Sequence, residues 1–267
     1  MLTPEQVGMF DRDGYVLGGR ILNDMEIKTL QDELDRVIQD HGKPDVPQPV
    51  LLTNMTENDQ HPVWQIVNIF EASNAFRQLV HHPVIVEEMA PMTRVHQLRI
   101  WHDQIQYKPT DTGGISHWHQ DSPYWPILQP KHKQVSAWMA MDDVDESNGC
   151  MSMIRGSHLW GDQIEFLHEH LSNFHHPPTE FQGHPLHVEL RPVPAGYVHY
   201  HHALTWHGSQ ANTSDPPRRV IALHYITERT RYDESGEHLM KPFISVADGQ
   251  PLIGARFPIV WPAPETV

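Results

Sequence analysis

The sequence predicts an α+β protein, mainly β, with a sandwich or barrel of short strands at its centre. Helical spacing of apolar residues is limited to about residues 1–94, and short runs between turn signals follow from about residue 95. The 267 residues include 23 prolines, well above the usual share of about 5%, which indicates many loops. Helices followed by a series of strands are typical of an α+β fold.

The first helix is predicted from its end signals. Thr3-Pro4 begins a short helix that continues through Phe10 and ends near Gly14. Farther along, residues 42–62 are predicted to form a loop and residues 73–88 a helix.

The second helix has the clearest signals of the N-terminal part. Asn23 can cap it, Glu26 completes a capping box, and Leu22 and Ile27 occupy the hydrophobic-staple positions. The helix is predicted to end at Gly42. One apolar stripe with helical spacing follows the cap and consists of Ile27, Leu30, Leu34, Val37 and Ile38. We interpret it as an ordinary packing helix.

Seven strands are predicted after residue 95, at Gln97–Tyr107, Ser116–Gln120, Gln134–Met141, Leu186–Leu190, Gly196–Tyr200, Thr205–Gly208 and Arg218–Thr227. Turns are predicted at Asn148-Gly149 and Ser214–Pro217, and residues 165–176 read as a helix or a polar insertion between strands. The predicted helices and strands together indicate a single domain. It is divided into a helical part (about 1–94), a β core (about 95–230) and a C-terminal tail (231–267).

Charge and cysteine content exclude several classes of function. The net charge of −15 argues against a nucleic-acid or anionic-membrane partner, both of which need a basic surface. Cys150 is the single cysteine, so no intramolecular disulfide can form, which favours a cytoplasmic location. Neither a signal-peptide pattern nor an apolar run long enough to span a membrane is present. No oligomeric state is predicted.

The segment HWHQD, residues 117–121, is the first candidate metal site. His-x-Asp or His-x-Glu should occur about three times by chance in a chain of this composition, and it occurs twice. The tripeptide alone therefore shows nothing. In a strand, however, the side chains of His117, His119 and Asp121 would share one face, so that two or three of them could hold one metal. A further ligand must come from elsewhere in the chain.

The second candidate segment supplies that ligand. It carries His199, His201 and His202, then His207-Gly208-Ser209, and Arg218 lies eleven residues after His207. This order resembles the phytanoyl-CoA dioxygenase family of iron(II)- and 2-oxoglutarate-dependent oxygenases. The likeness covers about residues 2–227 and includes the opening LTPEQVGMFDRDGYV, the segment SNGCMSMIRGSHLWG, Tyr107-Lys108-Pro109, Trp138 and His224. Arg155 departs from it, because proline is common at that position.

The resemblance implies a double-stranded β-helix core, a jelly-roll of cupin-like form, with the N-terminal helices packed on it. It implies that iron(II) is held by His119, Asp121 and His207, since two imidazoles and one carboxylate leave open positions for 2-oxoglutarate and O₂. Related halogenases lack the carboxylate, so Asp121 favours hydroxylation. Arg218 would bind the far carboxylate of 2-oxoglutarate. The other residues that the resemblance assigns to the co-substrate are Ser209, Trp138 and Gln104.

Several nearby residues have a plainer interpretation as well. Tyr124 and Trp125 could form a substrate wall or pack the end of the barrel. His202 is a candidate substrate contact. A plainer interpretation, as a solvated or core histidine, is nevertheless favoured for each of five residues, namely His117, His199, His201, His202 and His224. We interpret Trp206 and Cys150 as core residues, and His187-Val188-Glu189 as a half-exposed strand.

The leading hypothesis is an oxygenase that hydroxylates a small organic molecule or biosynthetic intermediate. The acidic net charge argues against a coenzyme A thioester as the substrate, because such a thioester is itself negatively charged. One alternative is a non-catalytic barrel that binds a metal or keto acid as a sensor or scaffold. Another is a cupin-like metal hydrolase or isomerase, which leaves the spacing to Arg218 unexplained. Coincidence among 22 histidines is the remaining interpretation of the triad.

Overall fold

The computed structural model describes residues 1–111, 113–171 and 174–262. Its α-helices are α1 (Pro4–Asp13), α2 (Asp24–Gln39), α3 (Asn74–Val80), α4 (Pro83–Thr93) and α5 (Ile164–His170). Its strands are β1 (Tyr15–Arg20), β2 (Leu51–Asn54), β3 (Trp64–Val67), β4 (Leu98–Lys108), β5 (Ser116–His119), β6 (Leu128–Gln129), β7 (Gln134–Ala140), β8 (Met151–Ile154), β9 (Glu180–Phe181), β10 (His184–Pro185), β11 (Val188–Arg191), β12 (Tyr197–His202), β13 (His207–Ser209), β14 (Arg218–Thr227), β15 (Arg231–Tyr232) and β16 (Ile259–Trp261).

Two antiparallel sheets form the predicted jelly-roll. The larger has the strand order β1-β12-β7-β14-β4-β3-β2, with β16 paired to β4, and the smaller has the order β11-β8-β13-β5. A buried cluster contains Trp138 and Ala222 from the large sheet together with Met151 and Met153 from the small one, so it lies between the sheets. The α+β, mainly β, fold class is confirmed.

The N-terminal helices cover the other face of the large sheet. Because side chains alternate along a strand, β14 turns Ile221 and Leu223 toward these helices and Ala222 toward the small sheet. The resulting core joins both layers and includes Leu30, Phe76, Ile85, Ile105, Met139, Ile221 and Leu223. The helices therefore support the sheet that carries part of the candidate site.

The helix ends follow the predicted signals closely. The capping box at Asn23 and Glu26 is present, with both reciprocal hydrogen bonds. The predicted stripe is buried apart from Ile38, which is partly buried, and α2 ends at Gln39, three residues before Gly42. The first helix continues to Asp13, and Gly14 caps it with φ +86°.

Three predictions of secondary structure need correction. The single helix predicted over residues 73–88 is two helices, because Pro83 starts α4 and the residue before a proline avoids the helical region. The predicted loop at residues 42–62 contains β2. The sequence did not predict β1 or β3, which are short strands that pair at the margins of the large sheet.

Most predicted core strands shift by one to two residues at their ends, and Arg218–Thr227 matches at both ends. The polar insertion at 165–176 contains α5, and two of its residues lie outside the described ranges. Residues 231–267 were predicted to be a C-terminal tail. In the structure, Met240, Leu252 and Phe257 pack with Trp101 and Trp125 in a buried cluster.

The described helices include none that is both long enough and apolar enough to cross a bilayer.

Candidate active site

Strand pairing in the small sheet brings two histidines together. β13 pairs with β5 in antiparallel register, with His207 opposite His119. Directly opposite residues of a pair lie on the same face, so both imidazoles point toward the large sheet. Their ring centroids are 4.1 Å apart. This contact joins residues that are far apart in the sequence.

Asp121 completes the group from outside the strand. β5 ends at His119, and Asp121 has helical backbone angles at the start of a short 3₁₀ helix, Ser122–Tyr124. Its Oδ1 lies 3.5 Å from Nε2 of His207 and 3.8 Å from Nε2 of His119. The prediction that Asp121 shares one strand face with His117 and His119 is thus wrong, since the strand ends at His119. His117 is exposed at the mouth of the neighbouring cavity.

Hydrogen bonds prepare both histidines to bind a metal. Nδ1 of His119 lies 2.7 Å from the carbonyl of His117, and Nδ1 of His207 lies 2.9 Å from the carbonyl of Thr205. A carbonyl only accepts, so each Nδ1 carries the proton and each Nε2 keeps its lone pair. Burial, with the neighbouring His207, lowers the pKa of His119 to about 3. His119 is therefore a neutral ligand at neutral pH.

The second oxygen of Asp121 is held by the large sheet. Oδ2 accepts from Nε2 of His201 at 3.0 Å and from the hydroxyl of Ser136 at 2.9 Å. Ser136 in turn lies 2.7 Å from Nδ1 of His224. Burial alone would raise the pKa of Asp121, but His207 and the His201 hydrogen bond hold it well below its usual value. Asp121 is therefore an ionised ligand whose Oδ1 is left for the metal.

Arg218 is buried beside this group with donors that have no partner. It is 0% exposed, and its Nη1 donates to the carbonyl of Gly149 at 2.8 Å and to Oγ of Ser209 at 3.3 Å. Nε and Nη2 have no hydrogen-bond partner among the described residues. Burial lowers the pKa of Arg218 to about 9. A buried guanidinium with free donors and no acid fits a carboxylate ligand such as one end of 2-oxoglutarate.

The other residues predicted for the co-substrate lie around a narrow recess next to the triad. Ser209, Trp138 and Gln104 line this recess together with the three candidate metal ligands. The guanidinium carbon of Arg218 lies 5.8 Å from the centre of the Trp138 ring. The structure thus brings together every residue that the sequence assigned to the metal and the co-substrate.

A larger cavity of 600 Å³ opens from the triad toward solvent. Tyr124 and Trp125 both line it. The hydroxyl of Tyr124, which is half exposed, lies 2.9 Å from Nε2 of His168, and the buried Trp125 packs edge-on against His224. Both side chains therefore lie where they could contact a substrate, and Trp125 also packs in a buried cluster with Trp101, so the substrate wall stays a prediction. His168 and the further lining residues His102 and His238 were not predicted, because none of them belongs to a motif that the sequence analysis singled out.

The structure does not bring His202 to this site. His202 and His201 project from opposite sides of β12, and His202 lines a separate cavity of 260 Å³ beside Phe10 and His158. The structure therefore places His202 away from the cavity beside the triad, in a largely buried position of the kind that the sequence analysis favoured for it. Trp206 and Cys150 are buried in the core, as the sequence indicated.

Comparison with known proteins gives this site its context. The family model for phytanoyl-CoA dioxygenase (PhyH) matches residues 10–220, most of the chain. The chain belongs to the phytanoyl-CoA dioxygenase family. As a member, it is an iron(II)- and 2-oxoglutarate-dependent dioxygenase, and the group formed by His119, Asp121 and His207 has donors within 4.8 Å of one another that suit such a metal.

Relatives within and around the phytanoyl-CoA dioxygenase family are distant in sequence. The peroxisomal phytanoyl-CoA dioxygenase of Bos taurus is 23% identical over 259 residues, which cover 92% of this chain and 76% of the relative. Among solved structures, the α-ketoglutarate-dependent carbocyclase SnoK from nogalamycin biosynthesis is 25% identical with a TM-score of 0.77, covering 97% of this chain and 96% of SnoK. The epimerase SnoN from nogalamycin biosynthesis is 22% identical with a TM-score of 0.76, covering 96% and 97%.

Proposed function

We propose that this chain hydroxylates a small organic molecule or biosynthetic intermediate. In this proposal His119, Asp121 and His207 hold the iron, and Arg218 with Ser209 binds the far carboxylate of 2-oxoglutarate. Iron(II) and 2-oxoglutarate together supply the oxidation of a C–H bond by O₂, with release of succinate and CO₂. The observation that carries the proposal is the pair of unpartnered donors on the buried Arg218 next to the triad. Trp138 and Gln104 would border the co-substrate in the same recess.

The larger cavity supports an uncharged substrate. Among the described residues that line it, Asp121 is the single carboxylate and there is no lysine or arginine. A coenzyme A thioester would bring several negative charges to a lining without a cation, in a protein whose net charge is −15. Gln65 and Gln106 offer hydrogen bonds, while Tyr124 and Trp125 offer aromatic surface. These features favour a neutral, polar molecule with an aromatic or alicyclic part.

The alternatives fit the site less well. A cupin-like hydrolase or isomerase has no need of a buried arginine with free donors beside its metal. A non-catalytic barrel could bind iron and a keto acid, but it would release no succinate with any substrate.

We also propose a cytoplasmic location, because Cys150 is buried and cannot form an internal disulfide. Microscopy of a tagged chain tests this location.

The decisive experiment is an anaerobic titration of the protein with iron(II) and 2-oxoglutarate. We expect the weak visible charge-transfer band of a keto acid chelated to iron(II). Asp121→Ala serves as the control, because removing one of three ligands should abolish iron binding and with it the band. Succinate release in air is then measured with neutral aromatic alcohols and with an acyl-coenzyme A. A folded, iron-loaded protein that gives no band contradicts the proposal.

Arg218→Ala should raise the 2-oxoglutarate requirement without weakening iron binding. Hydrogen bonds to a charged group contribute about 1.5–3 kcal/mol, so the affinity for 2-oxoglutarate should fall about 10- to 100-fold. The matched control is Arg219→Ala, because the neighbouring Arg219 pairs with Asp142 instead. The measurement is the dissociation constant of 2-oxoglutarate from the charge-transfer titration. Equal constants in wild type and Arg218→Ala would show that this assignment is wrong.

A further inference from the structure

Two buried cations lie side by side behind the co-substrate recess. Lys108 on β4 is opposite Arg218 on β14 in antiparallel register, and both side chains are 0% exposed. Among the described residues, no aspartate or glutamate forms an ion pair with either of them. A buried charge without an oppositely charged partner is costly, so an anion in the adjacent space would stabilise this pair. The sequence resemblance included Lys108 in a motif but assigned it no role.

The hydrogen bonds of Lys108 show how it acts on that space. Its Nζ donates to Oγ of Ser209 at 2.7 Å, to the carbonyl of Ser209 at 3.3 Å and, by a shorter contact, to the carbonyl of Gln210. An ammonium has three donors and no acceptor, so these three oxygens match its capacity. Ser209 Oγ is therefore an acceptor toward Lys108.

Ser209 accepts from a second cation as well. Nη1 of Arg218 donates to the same Oγ at 3.3 Å. A hydroxyl oxygen has two lone pairs, and the two cations occupy both. The hydroxyl proton of Ser209 must then point elsewhere, and no described residue accepts it. The direction left open is the recess that Ser209 lines beside the triad.

We propose that Lys108 is a positioning residue for 2-oxoglutarate, one that fixes the Ser209 hydroxyl so that its proton is donated to the carboxylate bound by Arg218. The inference rests on the proposed function, because it needs a carboxylate at Arg218. Burial and the nearby Arg218 lower the pKa of Lys108 well below its usual value. A bound carboxylate would offset both effects, which is consistent with a site that is completed by its anion.

The test compares two keto acids on Lys108→Met. 2-Oxoglutarate has the far carboxylate, whereas 2-oxopentanoate has the same chain length and keto-acid head without it. Their dissociation constants are measured by anaerobic charge-transfer titration of the iron(II) protein. We expect 2-oxoglutarate to bind about 10- to 100-fold more weakly than to wild type, with 2-oxopentanoate and iron(II) affinities unchanged. Equal weakening of both keto acids, or no change in either, would overturn the proposal.

Two further variants separate positioning from packing. Asn212→Ala loosens the same loop, because Asn212 donates to the backbone carbonyls of Lys108, Pro109 and Pro216 and forms no hydrogen bond with the Lys108 side chain or with Ser209. It should leave the ratio of the two keto-acid affinities unchanged. In the Ser209→Ala background, Lys108→Met should cost much less than in wild type, since its target hydroxyl is gone. An undiminished cost in that background would also overturn the proposal.

Lys108→Gln is the second substitution at this position, in case the methionine variant does not fold. Its side chain is one bond shorter and uncharged, so its amide donor falls short of the position from which Nζ of Lys108 reaches Ser209 Oγ, and the same loss of selectivity for 2-oxoglutarate is expected. Failure of the proposed function has a different signature. In that case the wild-type protein itself shows no charge-transfer band, whereas failure of the Lys108 inference leaves the wild-type band intact.

Discussion

The two oxygens of Asp121 have different tasks. Oδ1 faces Nε2 of both candidate histidine ligands, while Oδ2 is occupied by His201 and Ser136. A carboxylate held in this way can offer one oxygen to a metal but not both. His119, His207 and one oxygen of Asp121 would hold a metal through three ligand atoms, and so would leave positions open for a keto acid and O₂.

His201→Phe should weaken iron binding. The substitution removes the donor to Oδ2 of Asp121 but keeps an aromatic ring in a buried position. Loss of a hydrogen bond that orients a metal ligand typically costs about 10- to 100-fold in metal affinity, and we expect that range here. The measurement is competition for iron(II) against a chromophoric chelator.

His202→Phe is the matched control, because His202 is adjacent in sequence but faces the separate cavity. Its iron affinity should equal that of wild type, even if its stability is lower. If both variants weaken iron binding to the same degree, the effect belongs to β12 as a whole and not to the Asp121 contact.

At this scale the sequence predicted some residues better than others. His119, Asp121, His207 and Arg218 have fixed spacings to Gly-Ser and to each other, and the structure brings them together. By contrast, the histidines at 199, 201 and 202 look alike in the sequence. A shift of one residue reverses the face to which a strand residue points, so the sequence could not tell that His201 faces inward and His202 outward.

At the level of elements, the turn at Asn148-Gly149 shapes the co-substrate site. Gly149 has φ +86°, in the left-handed region that favours glycine. A Cβ at this position would collide with the carbonyl of Gln210. The carbonyl of Gly149 accepts from Arg218 at 2.8 Å, so the turn also orients the guanidinium.

Gly149→Ala should lower both stability and 2-oxoglutarate affinity. We expect a loss of more than about 1 kcal/mol in the free energy of unfolding, since the collision adds to the usual cost of a left-handed alanine. Gly42→Ala is the control, because Gly42 has φ +78° with open space around its Cα. Urea denaturation and keto-acid titration of both variants check this. A Gly149→Ala protein that matches Gly42→Ala in both measurements would contradict the collision.

Helices and strands were predicted correctly where local interactions stabilise them or where nearly all of their residues are buried. The capping box defines the start of α2 by itself, and the apolar run Arg218–Thr227 lies at the centre of the large sheet. In contrast, β1 depends on a partner strand, β12, that is distant in the sequence. β1 contains two adjacent glycines and is held by pairing with β12, which no local pattern reveals.

At the scale of the whole molecule, the C-terminal segment is part of the core. The family match ends at residue 220, yet Leu252 and Phe257 pack with Trp101 and Trp125 below the cavity. Leu252→Ala should therefore destabilise the protein by about 2–5 kcal/mol, as for other buried leucines. The free energy of unfolding from chemical denaturation measures this.

Ile253→Ala is the control for Leu252→Ala, since the adjacent side chain is 53% exposed and should change stability by less than about 0.5 kcal/mol. Similar values for the two variants would mean that this segment is a tail outside the core, as the sequence prediction for residues 231–267 had it.

The division of the site between two sheets has a mechanical consequence. The candidate histidine ligands belong to the small sheet, whereas Arg218 and Trp138 belong to the large one. A molecule that reaches from the metal to Arg218 would contact both sheets and connect them. Because a ligand that binds only the folded protein stabilises it, such a molecule should resist separation of the two sheets, and its consumption in a turnover would remove that link until the next molecule binds.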